Sequence, residues 1–408
     1  MEPIKIFDNL FWVGAIDYEI RDFHGFRTSD GTTYNAYLML DEKITLIDTV
    51  KAPFVPEMLS RISKIVDPKK IDQVVSNHAE LDHSSGLPQT VSSIGADKPV
   101  YASKIGEKTL KGQMRECRDL HFKPVSSGDT VSLGKLGLQF QETRMLHWPD
   151  SMFCFCPEMG VLFSQDMFGI HMAGSRLFDD EVGRNVWGYQ ALKYFANVLT
   201  PYMPIFEKMM DGITASGLLG QVKMICPDHG FIWRSNPGEI IDLSRRWAKQ
   251  TPSRRAVVVY DTMWQSTEKI AMELGGALSA NGVLVRLMSM KNNHPSDILT
   301  EIFSSGAVLV GSPTVYNGIY STIVMLLNSM RGMNFQNKVG AAFGSHGWSG
   351  EAPKMLQTQL ADMKYSMVCP ELRVQWAPDE SNLASVQEMA REVAEALPKE
   401  PVGPDFGI

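Results

Sequence analysis

Apolar and polar positions alternate in short bursts along the first fifty residues. The runs 10–14, 34–40 and 44–48 each read as a strand, and turn residues such as Ser29-Asp30-Gly31 separate them, the pattern of an antiparallel sheet. Over 53–66 the period lengthens, and Val55, Met58, Leu59, Ile62 and Ile65 fall on one helical stripe. A strand at 71–76 follows, and apolar runs at 138–143, 160–164 and 222–226 predict three more. Beyond a polar, proline-containing join at 247–255 the pattern changes. Buried strands at 256–260, 283–287, 307–311, 339–343 and 372–376 now alternate with helical segments, which predicts a parallel, doubly wound sheet of five strands. The last stripe, Leu383, Val386, Met389, Val393 and Leu397, is expected to be a helix packed on that sheet, and the tail 398–408 to form no regular element. The chain is thus expected to form two α/β domains, 1–250 and 251–408.

Reactive side chains gather just past the strand ends. The strand 71–76 runs into Asn77-His78-Ala79-Glu80-Leu81-Asp82-His83. Two imidazoles and two carboxylates so close together exceed what one ion with an open position uses, so they suggest a pair of metals. Three more donors stand in the same relation to a strand: His147 past 138–143, Asp166 past 160–164 and His229 past 222–226. If those strands run in similar directions, the donors meet on one rim. Taken singly, His147 reads as a packed core histidine, Asp166 as a helix cap and His229 as a turn residue before Gly230. Their shared placement argues for a common site.

In the second half, the loop Thr262-Met263-Trp264-Gln265-Ser266-Thr267 joins a strand to a helix. Unpaired backbone N–H groups at a helix start suit a phosphate, although Ser and Thr also cap helices for structural reasons alone. Two further loops follow strands, Ser312-Pro313-Thr314-Val315-Tyr316-Asn317-Gly318 and Ser345-His346-Gly347-Trp348-Ser349-Gly350. A doubly wound sheet binds its ligand beyond such ends. Their glycines allow close backbone approach, and Tyr316 and Trp348 can cover a flat ring.

Composition narrows the classes. A chain of 408 residues with 44% hydrophobic and 21% charged content can bury two or three cores. A formal charge of −7 argues against a nucleic-acid partner. Neither a run of about 18 apolar residues nor a cationic-then-apolar start is present, so no membrane span and a cytoplasmic location are expected. The five cysteines, at 117, 154, 156, 226 and 369, include no Cys-x-x-Cys, which argues against a thiolate-bound iron or zinc centre in this chain. Cys154 and Cys156 alternate within an apolar segment and read as buried strand thiols.

The motifs His78-x-Glu80-x-Asp82-His83, Met145-Leu146-His147-Trp148-Pro149-Asp150-Ser151-Met152, Asp166-x-Phe168-Gly169, Cys226-Pro227-Asp228-His229-Gly230 and Asp22-Phe23-His24-Gly25 resemble the β-lactamase-type domain of the flavodiiron proteins (A-type flavoproteins). Residues 254–398 resemble the flavodoxin domain of the same family, so the resemblance spans nearly the whole chain. It implies a metallo-β-lactamase-like αββα sandwich followed by a flavodoxin-like five-stranded parallel sheet. It further implies that His78, Glu80 and His147 bind one iron, that Asp82, His83 and His229 bind the other, and that Asp166 bridges them. His24 and Tyr194 would stand behind the metals and orient a bound gas; residues 262–267 would hold the phosphate of FMN, and the loops 312–318 and 345–350 its isoalloxazine. Free-standing flavodoxins usually carry a glycine in the phosphate loop, which this chain lacks.

The implied activity is reduction of dioxygen to water, of nitric oxide to nitrous oxide, or both. Two ferrous ions and a fully reduced flavin hold the four electrons that dioxygen needs; a pair of nitric oxide molecules needs two. Electrons would come from outside, from rubredoxin or a deazaflavin, and the resemblance implies a head-to-tail homodimer or dimer of dimers. Zinc hydrolases of the metallo-β-lactamase type have a second histidine where this chain has Glu80. A carboxylate there adds negative charge and a harder donor, which moves the preference from zinc towards iron or manganese. A zinc hydrolase with a regulatory flavodoxin module is the alternative that Glu80 speaks against, and a non-enzymatic electron carrier is a third reading.

Overall fold

The computed structural model describes residues 2–399, so all but the first two positions of the expected irregular tail lie outside them. Two sheets face each other in the first half. Seven strands make the first, in the order Ile4–Phe7, Leu10–Trp12, Tyr37–Met39, Thr45–Ile47, Gln73–Val75, Val100–Ser103 and Phe122–Val125. Its hairpin-connected side is antiparallel and its helix-connected side parallel. The second sheet contains Thr130–Ser132, Gly137–Glu142, Met152–Cys156, Val161–Gln165 and Met224–Pro227, with only the last pair parallel.

Strand periodicity explains the layers. In Met152–Cys156, Cys154 and Cys156 point between the sheets towards Trp12, Tyr37 and Val75, while Phe153 and Phe155 point outward against helices. Both faces are covered, so every residue of this strand is buried and no polar face is needed. Helices Val55–Ser63, Leu87–Ile94 and Lys104–Gln113 cover the first sheet through Met58, Ile62, Val91 and Leu110. Arg184–Tyr194, Met203–Ala215 and Pro237–Ala248 cover the second through Trp187, Phe206 and Trp247. The result is an αββα sandwich.

The third sheet is parallel throughout, in the order Leu284–Ser289, Arg255–Tyr260, Ala307–Gly311, Val339–His346 and a fifth position. Where the sequence predicts one strand, that fifth position holds two, Ser366–Met367 and Leu372–Gln375, both paired with Val339–His346. Pro370 lies between them and lacks the N–H that a continuous ladder requires. Helices Ser266–Ala280 and Glu380–Ala396 lie on one face. The last of these starts at a capping box formed by Asp379 and Asn382.

The opposite face joins one continuous apolar core with the first half. Phe195 sits 5.3 Å from Trp247 and 5.9 Å from Phe303, so the helix Pro295–Ser304 is packed between the sheet and the sandwich. Strands of the first two sheets end at Pro227 and those of the third begin at Arg255. Among the described residues no helix is long and apolar enough to cross a membrane. All five cysteines are buried free thiols.

Candidate metal centre

Four strand ends deliver the donors. His78 follows Gln73–Val75, Glu80 precedes the single helical turn Leu81–Ser84 that carries Asp82 and His83, and Asp166 and His229 follow the adjacent parallel strands Val161–Gln165 and Met224–Pro227. His147 lies in the loop after Gly137–Glu142. Gln165 donates to the carbonyl of Leu146 and so ties that loop to the strand end bearing Asp166.

The seven side chains converge as two groups that share Asp166. Asp166 Oδ2 lies 2.9 Å from His147 Nε2 and 3.4 Å from His78 Nε2, and Glu80 Oε2 is 3.0 Å from His147 Nε2. Asp166 Oδ1 lies 3.4 Å from His83 Nε2 and 3.7 Å from His229 Nε2, and Asp82 Oδ2 is 3.1 Å and 3.0 Å from the same two nitrogens. Neighbouring ligands of an ion held at about 2.0–2.2 Å are separated by roughly 3.0–3.5 Å. The observed spacings fall close to that interval. Asp82 Oδ1 and Oδ2, Asp166 Oδ1 and both ring nitrogens of His78 are buried without a hydrogen-bond partner. Orphaned buried donors and acceptors are costly unless something fills the space between them, and two cations fit this set.

Buried groups around the donors set their orientation. Asp228 Oδ2 lies 3.4 Å from His78 Nδ1 and 3.9 Å from His83 Nδ1, on the side of the rings away from Asp166. His229 Nδ1 is 2.6 Å from the carbonyl of Thr33, to which it can donate, leaving Nε2 free to face a metal. Asp48 accepts from the backbone N–H of Asn77 at 2.7 Å and from its side chain at 2.6 Å, anchoring the loop that carries the motif. Burial, with the charge of Asp228, pushes the Asp48 carboxyl up to about 8. Replacing Asp228 with asparagine keeps the shape and removes the charge behind both imidazoles. It is expected to weaken iron binding about 10- to 100-fold, read by competition with a chelator.

Without metals, the carboxylates favour the protonated form of the imidazoles they face. Burial alone would lower the His147 imidazole, but its hydrogen bonds to Asp166 and Glu80 raise it to about 9. His78 and His83 are likewise raised, burial being outweighed by Asp166 and Asp82 respectively. An imidazolium has no lone pair for a metal, so an ion must displace these protons. Iron uptake by the metal-free protein is therefore expected to release protons and to tighten as pH rises through the range below about 9, where His147 deprotonates, as titration with a weak chelator at several pH values would measure.

In front of the donors lies a cavity of about 580 Å³, lined by Glu80, His147, Asp166 and His229. His24 stands at its exposed rim and Tyr194 in its buried wall. Burial, and then the negative charge of Asp166, keeps the Tyr194 phenol protonated, a hydrogen-bond donor at neutral pH. His171, not singled out by the sequence reading, also lines the cavity: its Nδ1 is 2.9 Å from Thr32 Oγ1, and its ring lies 4.6 Å from that of His229. Burial and the neighbouring His229 push it down, so it is neutral. Its only sequence signal was position, five residues past Asp166 in the same loop.

The three loops of the second half gather at the C-terminal ends of the parallel strands. Thr267 Oγ1 is 2.8 Å from Ser345 Oγ, and Ser349 Oγ reaches Asn317 Oδ1 at 3.4 Å. Helix Ser266–Ala280 starts without a side-chain cap, behind Gln265 in a left-handed conformation, and Thr262 Oγ1 is buried without a partner. Free N–H groups and an orphaned hydroxyl form a cradle suited to a phosphate. The segment 312–318 proves to include a hairpin arm, Thr314–Val315 pairing with Gly318–Ile319 about a tip of Tyr316 and Asn317, both at positive φ. Trp264, Tyr316 and Trp348 stand 87%, 101% and 89% exposed, ready to cover a ring. Trp376, missed in the sequence, packs against Gly347, where a Cβ would come within 2.9 Å of its ring.

A binuclear donor cluster at the rim of an αββα sandwich, joined to a doubly wound sheet with a phosphate cradle, defines a metalloflavoprotein architecture. Residues 32–230 match the ODP family beta lactamase and residues 258–397 match flavodoxin. The chain belongs to the flavodiiron proteins. It is 42% identical to a nitric oxide reductase of Moorella thermoacetica over 96% of this chain and 98% of that one. Among solved structures it resembles rubredoxin oxygen:oxidoreductase from Desulfovibrio gigas, with a TM-score of 0.94, 40% identity and coverage of 97% and 98%. The flavodiiron protein of Giardia intestinalis follows at TM-score 0.92 and 31% identity, with 97% of each chain covered.

Proposed function

We propose that this protein reduces dioxygen to water, nitric oxide to nitrous oxide, or both, with electrons drawn through FMN from an external carrier such as rubredoxin. The observation that supports this most strongly is the division of Asp166, one oxygen facing His78 and His147 and the other facing His83 and His229. On this reading His78, Glu80 and His147 would hold one iron, Asp82, His83 and His229 would hold the second, and Asp166 would offer an oxygen to each. Three carboxylates offset most of the charge of two divalent ions, and the hard oxygen of Glu80, in place of an imidazole, favours iron over zinc in this cage. When bound, the irons and the reduced flavin supply the electrons.

The protein's own part is to position, to exclude water and to donate. Phe23 and Phe26 pack on His171 at 5.1 and 5.0 Å and dry that side of the pocket. Tyr194 offers a proton-bearing hydroxyl, and His24 orients the gas from the rim. Residues 262–267 hold the FMN phosphate, and the loops 312–318 and 345–350, with Tyr316 and Trp348, hold its ring. None of these loops lines the metal cavity, whose flavodoxin-side wall is the helices Pro295–Ser304 and Ser321–Met333. This favours a head-to-tail dimer in which one subunit's flavin serves its partner's irons. We place the domain boundary near residue 250, between helix Pro237–Ala248 and strand Arg255–Tyr260. Buried, unpaired thiols fit a reducing cytoplasm.

Metal analysis and a visible spectrum of the purified protein test this reading. Two irons and one FMN per chain are expected, with rapid consumption of dioxygen or nitric oxide on adding reduced rubredoxin and none with NADH alone. Zinc in protein from iron-replete cells would overturn it and favour a hydrolase.

A further inference from the structure

Lys193 carries a buried ammonium that no part of the proposed chemistry uses. Its side chain is 3% exposed, and Nζ meets Asp297 Oδ1 at 2.6 Å and the carbonyl of Arg27 at 2.8 Å, above the face of Phe26 with 5.1 Å to the centroid. These contacts come from three parts of the chain. Arg27 and Phe26 belong to the hairpin of Asp22–Phe23 and Phe26–Arg27, whose aromatics press on His171 and whose turn bears His24. Asp297 lies in the first turn of Pro295–Ser304, in the flavodoxin module. Lys193 itself precedes Tyr194 on its helix.

Neighbouring bonds reinforce the same junction. The helix that carries Tyr194 continues into a wide, π-type turn, Phe195–Leu199, from which Asn197 Nδ2 donates to Ser296 O at 3.2 Å and Thr300 Oγ1 at 3.0 Å. The backbone N–H of Arg27 donates to Ser296 Oγ at 3.1 Å. Cohesion between the modules needs no charge here, because Phe195, Leu299 and Phe303 already form a shared apolar core. A buried ion pair adds little stability over apolar packing of the same volume, but its directional bonds impose one geometry.

We propose that Lys193 is a positioning residue through which the flavodoxin module of the same chain holds the hairpin 22–27 and Tyr194 against the metal pocket, so that module docking sets the space offered to the gas. The last clause rests on the gas-reducing reading above; the mechanical part does not. The test compares Lys193→Met, Asp297→Asn and the double variant in the full-length protein loaded with iron and FMN.

Lys193→Met is expected to speed hydrogen exchange at 22–27 about tenfold, Asp297→Asn by less because the bond to the Arg27 carbonyl stays, and the double variant no more than Lys193→Met, since Asp297 acts on the hairpin through Lys193. The kcat/KM for dioxygen or nitric oxide should fall about tenfold, mainly through KM, while iron content, FMN content and the rate of FMN reduction by the carrier stay unchanged. Unchanged exchange at 22–27, or effects that add in the double variant, would overturn the proposal. If Lys193→Met does not fold, Asp297→Asn carries the test alone, its side chain being 24% exposed. Wild-type protein that consumes neither gas yet shows the coupled exchange would sink the functional reading and leave the positioning role standing.

Discussion

Changing Asp166 to alanine is expected to reduce bound iron from two per chain to one or none, and to lower gas consumption by about a thousandfold or more. The physical reason is that Asp166 stands between the two groups of donors and turns one carboxylate oxygen to each. Its Oδ2 approaches His78 and His147, its Oδ1 approaches His83 and His229, and the residue is 2% exposed, so water cannot readily replace it. Burial disfavours its charge, yet the nearby histidines hold the carboxyl well below the usual range, so it is an anion throughout the physiological pH range. On the proposed assignment, removing it deletes one donor from each cation and one negative charge from between them. A thousandfold loss corresponds to about 4 kcal/mol, within what a catalytic ion contributes. FMN content should not change, because the proposed phosphate cradle at 262–267 belongs to the other module. Metal analysis with an oxygen electrode measures both quantities, and two retained irons with full turnover would refute the bridging role.

Changing Glu80 to histidine is expected to be nearly as severe for a different reason. The variant keeps seven donors but trades an oxygen anion for a neutral imidazole, which is the donor set of the zinc hydrolases. Glu80 Oε2 lies 3.0 Å from His147 Nε2 and its side chain is 15% exposed, so the substituted ring sits at the open side of the cluster. With one negative charge fewer and a softer ligand, zinc competes better for that position. Zinc has no accessible second oxidation state, so gas reduction should drop at least about a hundredfold as zinc replaces iron. The zinc-to-iron ratio of the purified variant and its turnover with reduced rubredoxin are the measurements; iron-filled protein with unchanged turnover would remove the weight placed on Glu80.

Most of the architecture was legible because its signals are local. Alternation in Met152–Cys156 and the helical stripe from Val55 report which faces are buried, and a buried face needs only side-chain period to be seen. The fifth strand of the flavodoxin module was read as one piece; its apolar residues were visible, but the break at Pro370 is a matter of which ladder its missing N–H would have joined. At the candidate site, the donors just past strand ends stood out by type and placement. Asp48 and Asp228 occupy the same kind of place, yet their contacts with Asn77 and with the back of His78 depend on how side chains distant in the chain are turned. His171 and Lys193 left no comparable trace, since each acts on residues far away in the chain.

By itself the sequence determined the donor chemistry, the close grouping of His78, Glu80, Asp82 and His83, and the alternation of strands and helices in the second half, because covalent spacing and side-chain period operate over a few residues. The tertiary structure decided the geometry in which His147, Asp166 and His229 meet that group, and that the flavodoxin module supplies a wall of the pocket. Those distances are set by how two sheets and two modules pack, and packing joins positions a hundred residues apart that no local pattern connects.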